Sequence, residues 1–203
     1  RRGSNSSKEQ KSSPQKKEKK KPVKPEDHLR ALLKAKDLDL DKFSVDKETF
    51  LPNTKAQTED YPEAAQAARD ENLEVLERLH TQGKNLQSAN VYGESIIHIV
   101  CRRGNYAMYE FLSEKAKVSI RVRDDIGRTP LHDAAWTDKP NFELVEKIIR
   151  QEPDLLFARD NRRSSPLAYV PPNRWPLWCK FLDDKPELIQ LAIDCEKTTR
   201  IPQ

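Results

Sequence analysis

From residue 61 onward the apolar positions fall into paired segments of unequal bulk. Ala64, Ala65, Ala67 and Ala68 predict a helix whose buried face carries little more than methyl groups. Arg69–Asn72 makes a turn, and Leu73, Leu76 and Leu79, with Val75, predict a second, bulkier helix that ends before Gly83. The same order returns in Ile96–Cys101, then Gly104-Asn105, then Tyr106, Met108, Tyr109, Phe111 and Leu112. It returns again in Leu131, Ala134 and Ala135, the turn Thr137–Asn141, and Phe142, Leu144, Val145, Ile148 and Ile149.

The recurrence has a period. Gly93 to Gly127 spans 34 residues, and so does His98 to His132. Pro130 to Pro166 spans 36, which matches a turn at Thr137–Asn141 that is two residues longer than its predecessor. A fixed period in the thirties with helix–turn–helix content predicts a stacked array. The clearest copy is Gly127-Arg128-Thr129-Pro130-Leu131-His132-Asp133-Ala134-Ala135. Glycine permits a tight turn, Thr129 suits an N-cap, and Pro130 suits the first helical position, where its missing N–H costs nothing. The two alanines allow another helix to approach closely.

This stretch resembles the TPLHxAA signature of the ankyrin repeat. The resemblance covers about residues 61–170. It is fullest in the third unit, partial in the first and fourth, and absent from residues 1–60. It implies an all-α fold: a solenoid of about four helix–turn–helix units with projecting hairpin loops.

The fourth unit departs from the pattern. Ala168 stands where His98 and His132 stand in earlier units, and Pro171-Pro172 must cut the helix. Trp175, Trp178, Phe181 and Leu182 follow, then a helix from Pro186 through Ile193, which together read as a C-terminal cap. Upstream, Pro25-Glu26-Asp27 opens a short amphipathic helix with Leu29, Leu32 and Leu33 on one face and Leu40 close by; residues 43–59 read as a linker. The expected divisions are a basic tail at 1–25, helix and linker at 26–60, the array with its cap at 61–196, and a tail at 197–203.

Charge sharpens this division. Residues 1–25 hold ten Lys/Arg against two Glu and one aliphatic side chain, Val23, while the remainder has 27 basic and 31 acidic residues. Such a tail buries too little to offset its ordering entropy and is expected to be disordered. Its cluster at residues 16–21 suits a solubilising role, an import receptor or nucleic-acid phosphates. Three widely spaced cysteines (Cys101, Cys179, Cys195) form no disulfide framework and no zinc spacing, which points to a reducing, intracellular location, cytoplasmic or nuclear. No apolar run is long enough for a membrane span. The chain begins with Arg1 rather than Met, so a fragment or a processed form is one reading.

The resemblance implies a non-catalytic module that binds another protein through hairpin tips and the outer positions of the first helices. Those positions are Val91, Tyr92, Glu94, Arg102 and Arg103 in the second unit, and Asp125, Ile126, Arg128, Trp136 and Thr137 in the third. Asn161, Arg162 and Ser164 match the fourth tip, with Tyr169 beyond it. Exposed aromatics anchor binding surfaces, which singles out Trp136 and Tyr92; packing of Trp136 on a neighbouring unit is the competing reading. Arg102, Arg103, Arg123, Arg128, Arg162 and Arg163 make a possible basic ridge, diluted by Asp124, Asp125, Asp133, Asp138 and Asp160.

Catalytic and metal chemistry finds little support. His98 and His132 recur at the repeat period without a ligand beside them, and the resemblance gives them the role of fixing the hairpins. Cys101 occupies the place of Ala135 and reads as a small core residue. No phosphate-cradling glycine loop or nucleophile motif occurs, and no cofactor is expected. Two readings stand beside the interaction module: a nuclear or nucleic-acid-associated factor that uses its basic tail, and the regulatory part of a larger enzyme.

Overall fold

A computed structural model describes residues 22–45, 47–51 and 59–199 of the chain, with side chains described as far as Cys195. The expected basic cluster at 16–21 lies outside the described residues, as do residues 200–203 of the tail expected at 197–203, whose residues 197–199 end the last helix instead.

All regular structure among the described residues is helical. Helix α1 spans Pro25–Lys34 and α2 spans Tyr61–Arg69. The remaining unit helices are α3 (Leu73–Thr81), α4 (Ile96–Arg103), α5 (Tyr106–Glu110, extended by a π-helical turn through Lys115), α6 (Pro130–Trp136) and α7 (Phe142–Gln151). The cap is α8 (Trp175–Asp184) and α9 (Pro186–Thr199).

The thin helices form the inner row. α4 packs against both α2 and α6, and α6 packs against a 3-10 turn at Pro166–Tyr169. Small side chains make this possible: Ala64, Ala65, Ala68, Cys101, Ala134 and Ala135 are all buried. The outer helices supply the bulk, with Leu76, Met108, Tyr109, Leu112, Leu144, Val145 and Ile148 buried. Each outer helix starts on an asparagine whose side-chain oxygen accepts from the first turn: Asn72 from Val75 N, Asn105 from Met108 N, Asn141 from Glu143 and Leu144 N. This cap recurs with the period and marks where each outer helix begins.

Pro171-Pro172 stops the fourth inner segment, which remains a single 3-10 turn before a second short 3-10 segment leads into α8. The cap then closes the array with Trp178 and Phe181 packed on Phe142, ring centroids 5.3 and 4.8 Å away.

The segment before the array is part of the core. Leu29 and Leu33 of α1 are fully buried, and α1 docks on α8, where His28 Nε2 lies 2.7 Å from an Asp183 oxygen. The chain then runs back along the array. Phe43 is buried against Phe157 of the third unit, and Phe50 is buried beneath the guanidiniums of Arg121 and Arg123. Leu51 N donates to Arg121 O at 2.8 Å. Pro52, Asn53 and many polar residues make 43–59 read as a linker; residues 46 and 52–58 lie outside the described residues, and the rest carries a few isolated apolar side chains. Two of them, Phe43 and Phe50, are anchors of a strap that ties the cap to the middle of the array.

Candidate functional site

The three hairpin tips share one construction. In each, a leading Asn or Asp orders the loop: its backbone N–H donates to the carbonyl four residues on, and its side-chain oxygen accepts from two backbone N–H groups. Asn90 accepts from Tyr92 and Glu94, Asp124 from Ile126 and Arg128, and Asp160 from Arg162 and Ser164. The tips are then chained to one another, Asp125 N donating to Tyr92 O and Asn161 N to Ile126 O. The turns therefore present their exposed residues at a fixed spacing.

Two histidines hold the tips to the inner helices. Thr129 N donates to His132 Nδ1 at 3.0 Å, which leaves Nε2 as the N–H that donates to Ser164 O at 3.2 Å. His98 does the same between Ser95 N and Arg128 O. Both rings are fully buried, and burial lowers His132 to about 4, keeping it neutral. Among the described residues no three His, Cys, Asp or Glu side chains are grouped so as to hold a metal ion.

The array's inner face carries a groove of about 450 Å³ where the fourth inner helix is cut short. Trp136, at the end of α6, forms one wall and is 49% exposed. The Arg128 guanidinium lies 5.8 Å from its ring centre. Tyr169 and Trp175 line the groove as well. Tyr169 is held by a 2.6 Å bond to Asp160 and an edge contact with His132, and Trp175 by Nε1 donating to Val170 O. Pro171, Pro172 and Leu167 complete the apolar lining, and Lys24 and Glu26 close the N-terminal side. The result is an aromatic trough with polar edges and a pre-ordered frame.

The positions expected to contact a partner divide into two groups. Val91 and Tyr92 are 82% and 64% exposed, and Arg103, Asp125, Trp136, Asn161 and Arg162 are exposed too, with Ile126 and Thr137 half-buried. Glu94, Arg102 and Arg128 are committed within the chain. Arg102 pairs with Glu94 and, at 2.9 Å, with the buried Asp133; Arg128 pairs with Asp124 at 2.6 Å. The basic ridge is likewise broken up: Arg123 donates to the carbonyls of Gly127 and Arg159 and stacks on Phe50. Two groove residues, Lys24 and Trp175, fall in the tail and the cap by the sequence, and Tyr169, beyond the fourth tip, joins them in the lining.

The described residues thus form an array of stacked helix–turn–helix units with chained tips and an exposed groove, the build of a protein-interaction module. Residues 64–158 match the family model for ankyrin repeats in three copies, and this part of the chain is an array of ankyrin repeats. It is 36% identical over 85 residues to a protein named putative glutaminase 2 from Caenorhabditis elegans, covering 41% of this chain and 14% of that one. It is 31% identical over 71 residues to SMC5-SMC6 complex localization factor protein 1 from Mus musculus, covering 35% of this chain and 6% of that one. The chain thus spans a small part of the curated relatives it matches. No helix among the described residues is long and apolar enough to cross a membrane.

Proposed function

We propose that this chain is a non-catalytic scaffold that binds an extended segment of another protein along its inner face. Trp136 is the anchor, and the tips at Val91-Tyr92 and Asp125-Ile126 supply further contacts. The observation that carries this reading is the state of Trp136: a large aromatic left half exposed beside an open groove, yet held by Arg128. A rigid, partly desolvated aromatic loses little entropy on binding, which is why such residues dominate binding energies. Glu94, Arg102 and Arg128 support the surface from beneath rather than by direct contact. Ankyrin repeats serve as interaction modules, which favours a protein partner. The similarity to the glutaminase covers 14% of that protein, so glutaminase chemistry is not part of the proposal.

The test is capture of partners by the intact chain and by Trp136→Ala and Tyr92→Ala. Loss of the same partners in both variants supports the surface; retention in both overturns it. A second reading rests on the ten Lys/Arg of residues 1–25, which suit an import receptor or nucleic-acid phosphates. Removing residues 1–25 abolishes nuclear accumulation, or flattens the salt dependence of nucleic-acid binding, if that reading holds.

A further inference from the structure

The tip of the fourth unit breaks a rule kept by the two before it. At the fourth tip position the second and third units have Gly93 and Gly127, with φ of 74° and 85°. The fourth unit has Arg163 there, at φ 65°. Glycine adopts this left-handed conformation freely, whereas an L side chain adopts it against steric resistance. The strain coincides with a placement. Arg163 lines a notch of about 330 Å³ between the strap and the fourth tip, together with Lys47, Arg123 and Arg159.

The notch has more positive charge than its own acids answer. Among the described residues Asp160 is the one carboxylate in its lining, and that group is already used by the tip: one oxygen accepts from Arg162 N and Ser164 N at 2.8 Å, the other from Tyr169 OH at 2.6 Å. Arg159 is paired with Asp41 at 2.8 Å. Among the described residues neither Arg163 nor Lys47 has a carboxylate within ion-pair distance. Burial, and secondarily the nearby Arg121, lower the pKa of Arg123, while Asp154 and Asp160 oppose the change.

We propose that this notch binds the phosphate of a phosphorylated serine or threonine on a partner protein. Two cations without carboxylates, Arg163 and Lys47, match the roughly two negative charges of a phosphate monoester, where a single carboxylate would leave one unanswered. The Arg163 guanidinium offers the planar fork that pairs two phosphate oxygens. Arg163, Lys47, Arg123 and Arg159 line one concave notch beside Asp160 rather than the extended stripe a nucleic-acid backbone requires. The notch shares no lining residue with the groove under Trp136, so the proposal stands apart from that surface.

The decisive variant is Arg163→Gly in the full chain, because it restores the residue the tip conformation favours while removing the cation. Inorganic phosphate is titrated by NMR, and a degenerate phosphoserine peptide pool is compared with its unphosphorylated counterpart. Single-stranded RNA and phosphatidylserine vesicles serve as further probes. The expected result is phosphate-dependent shifts at the Ser44, Arg163 and Ser164 amides of the wild type that vanish in Arg163→Gly. Affinity for the phosphorylated pool should fall at least about tenfold, with a thermal midpoint that holds or rises. Lys47→Ala weakens binding in the same direction, and Trp136→Ala leaves it unchanged. Binding by the basic tail is common to all these variants and cancels in the comparison. Equal shifts in wild type and variant, equal retention of the two peptide pools, a variant that loses RNA or vesicle binding more than peptide binding, or a thermal midpoint lowered by Arg163→Gly would each overturn the proposal.

Discussion

Phe43 stacks on Phe157, ring centroids 4.2 Å apart and planes tilted by 32°, and this contact fastens the N-terminal strap to the third unit. Both rings are buried, and the strap's other anchors, Leu40 and Phe50, are buried too. Phe43→Ala is expected to destabilise the chain by about 3 kcal/mol through lost burial and an unfilled cavity. Urea unfolding measures the loss. Hydrogen exchange locates it: amides in 38–51 should lose protection while those of α6 and α7 keep theirs. Uniform loss across the array would show that the strap is not a separable layer.

Neutral His132 sets an acid limit on the fold. Burial is the main cause of its low value; Arg123 and His98 lower it further, and the Ser164 carbonyl and Asp160 oppose them. The folded value of about 4 lies below the ordinary 6.5, so the unfolded chain takes up the proton first. The ring's contribution is therefore fully present above pH 6.5 and lost as the pH falls toward 4. The loss is on the order of 3 kcal/mol for a shift of this size. Unfolding midpoints measured between pH 7 and pH 4.5 should fall for the wild type and fall less for His132→Gln, which starts less stable. Parallel curves would refute the assignment.

Trp136 separates binding from folding. Half of its surface is exposed, and its ring carries a cation–π contact with Arg128. Trp136→Ala is expected to cost at most about 1 kcal/mol of stability. It should weaken partner binding by more than about tenfold, as loss of an aromatic anchor does. Calorimetric titration of a captured partner, with thermal melts of the same samples, distinguishes these effects.

The array was legible in the sequence because its information is local and repeated. Gly127, Thr129, Pro130, His132 and Ala134-Ala135 each state a backbone or packing requirement, and the echo at His98 identifies the ring as architecture. The strap was not legible: Phe43 and Phe50 sit alone among polar residues, and their partners, Phe157, Arg121 and Arg123, are distant in sequence. The groove was half legible. Trp136 and the Pro171-Pro172 break both stood out, but only the folded chain brings Lys24, Tyr169 and Trp175 beside them. The exposed tips followed from the repeat register, whereas the commitment of Arg102 and Arg128 to internal acids depends on distances that spacing does not reveal.

Asp133 is the carboxylate on which the second and third units turn. It is buried, one of its oxygens accepts from Arg102 Nε at 2.9 Å, and the other has no hydrogen-bond partner among the described residues. Burial raises its pKa, and Arg102 is among the charges that oppose the rise. Removing Arg102 leaves a carboxylate in the interior without its cation, so Arg102→Ala is expected to cost about 3 kcal/mol at neutral pH, far more than loss of an exposed arginine. The sign of the pH dependence follows. Without Arg102 the folded pKa of Asp133 rises further above the unfolded value, so the penalty is complete at high pH and shrinks as the pH falls through that raised value. The difference in unfolding free energy between wild type and Arg102→Ala should therefore narrow from pH 8 to pH 5. In the Asp133→Ala background the Arg102 substitution should cost far less, because no buried charge remains to be orphaned. A double-mutant cycle at the two pH values measures both effects. An Arg102 penalty that stayed the same in the Asp133→Ala background would mean that Arg102 acts through Glu94 and its aliphatic stem instead.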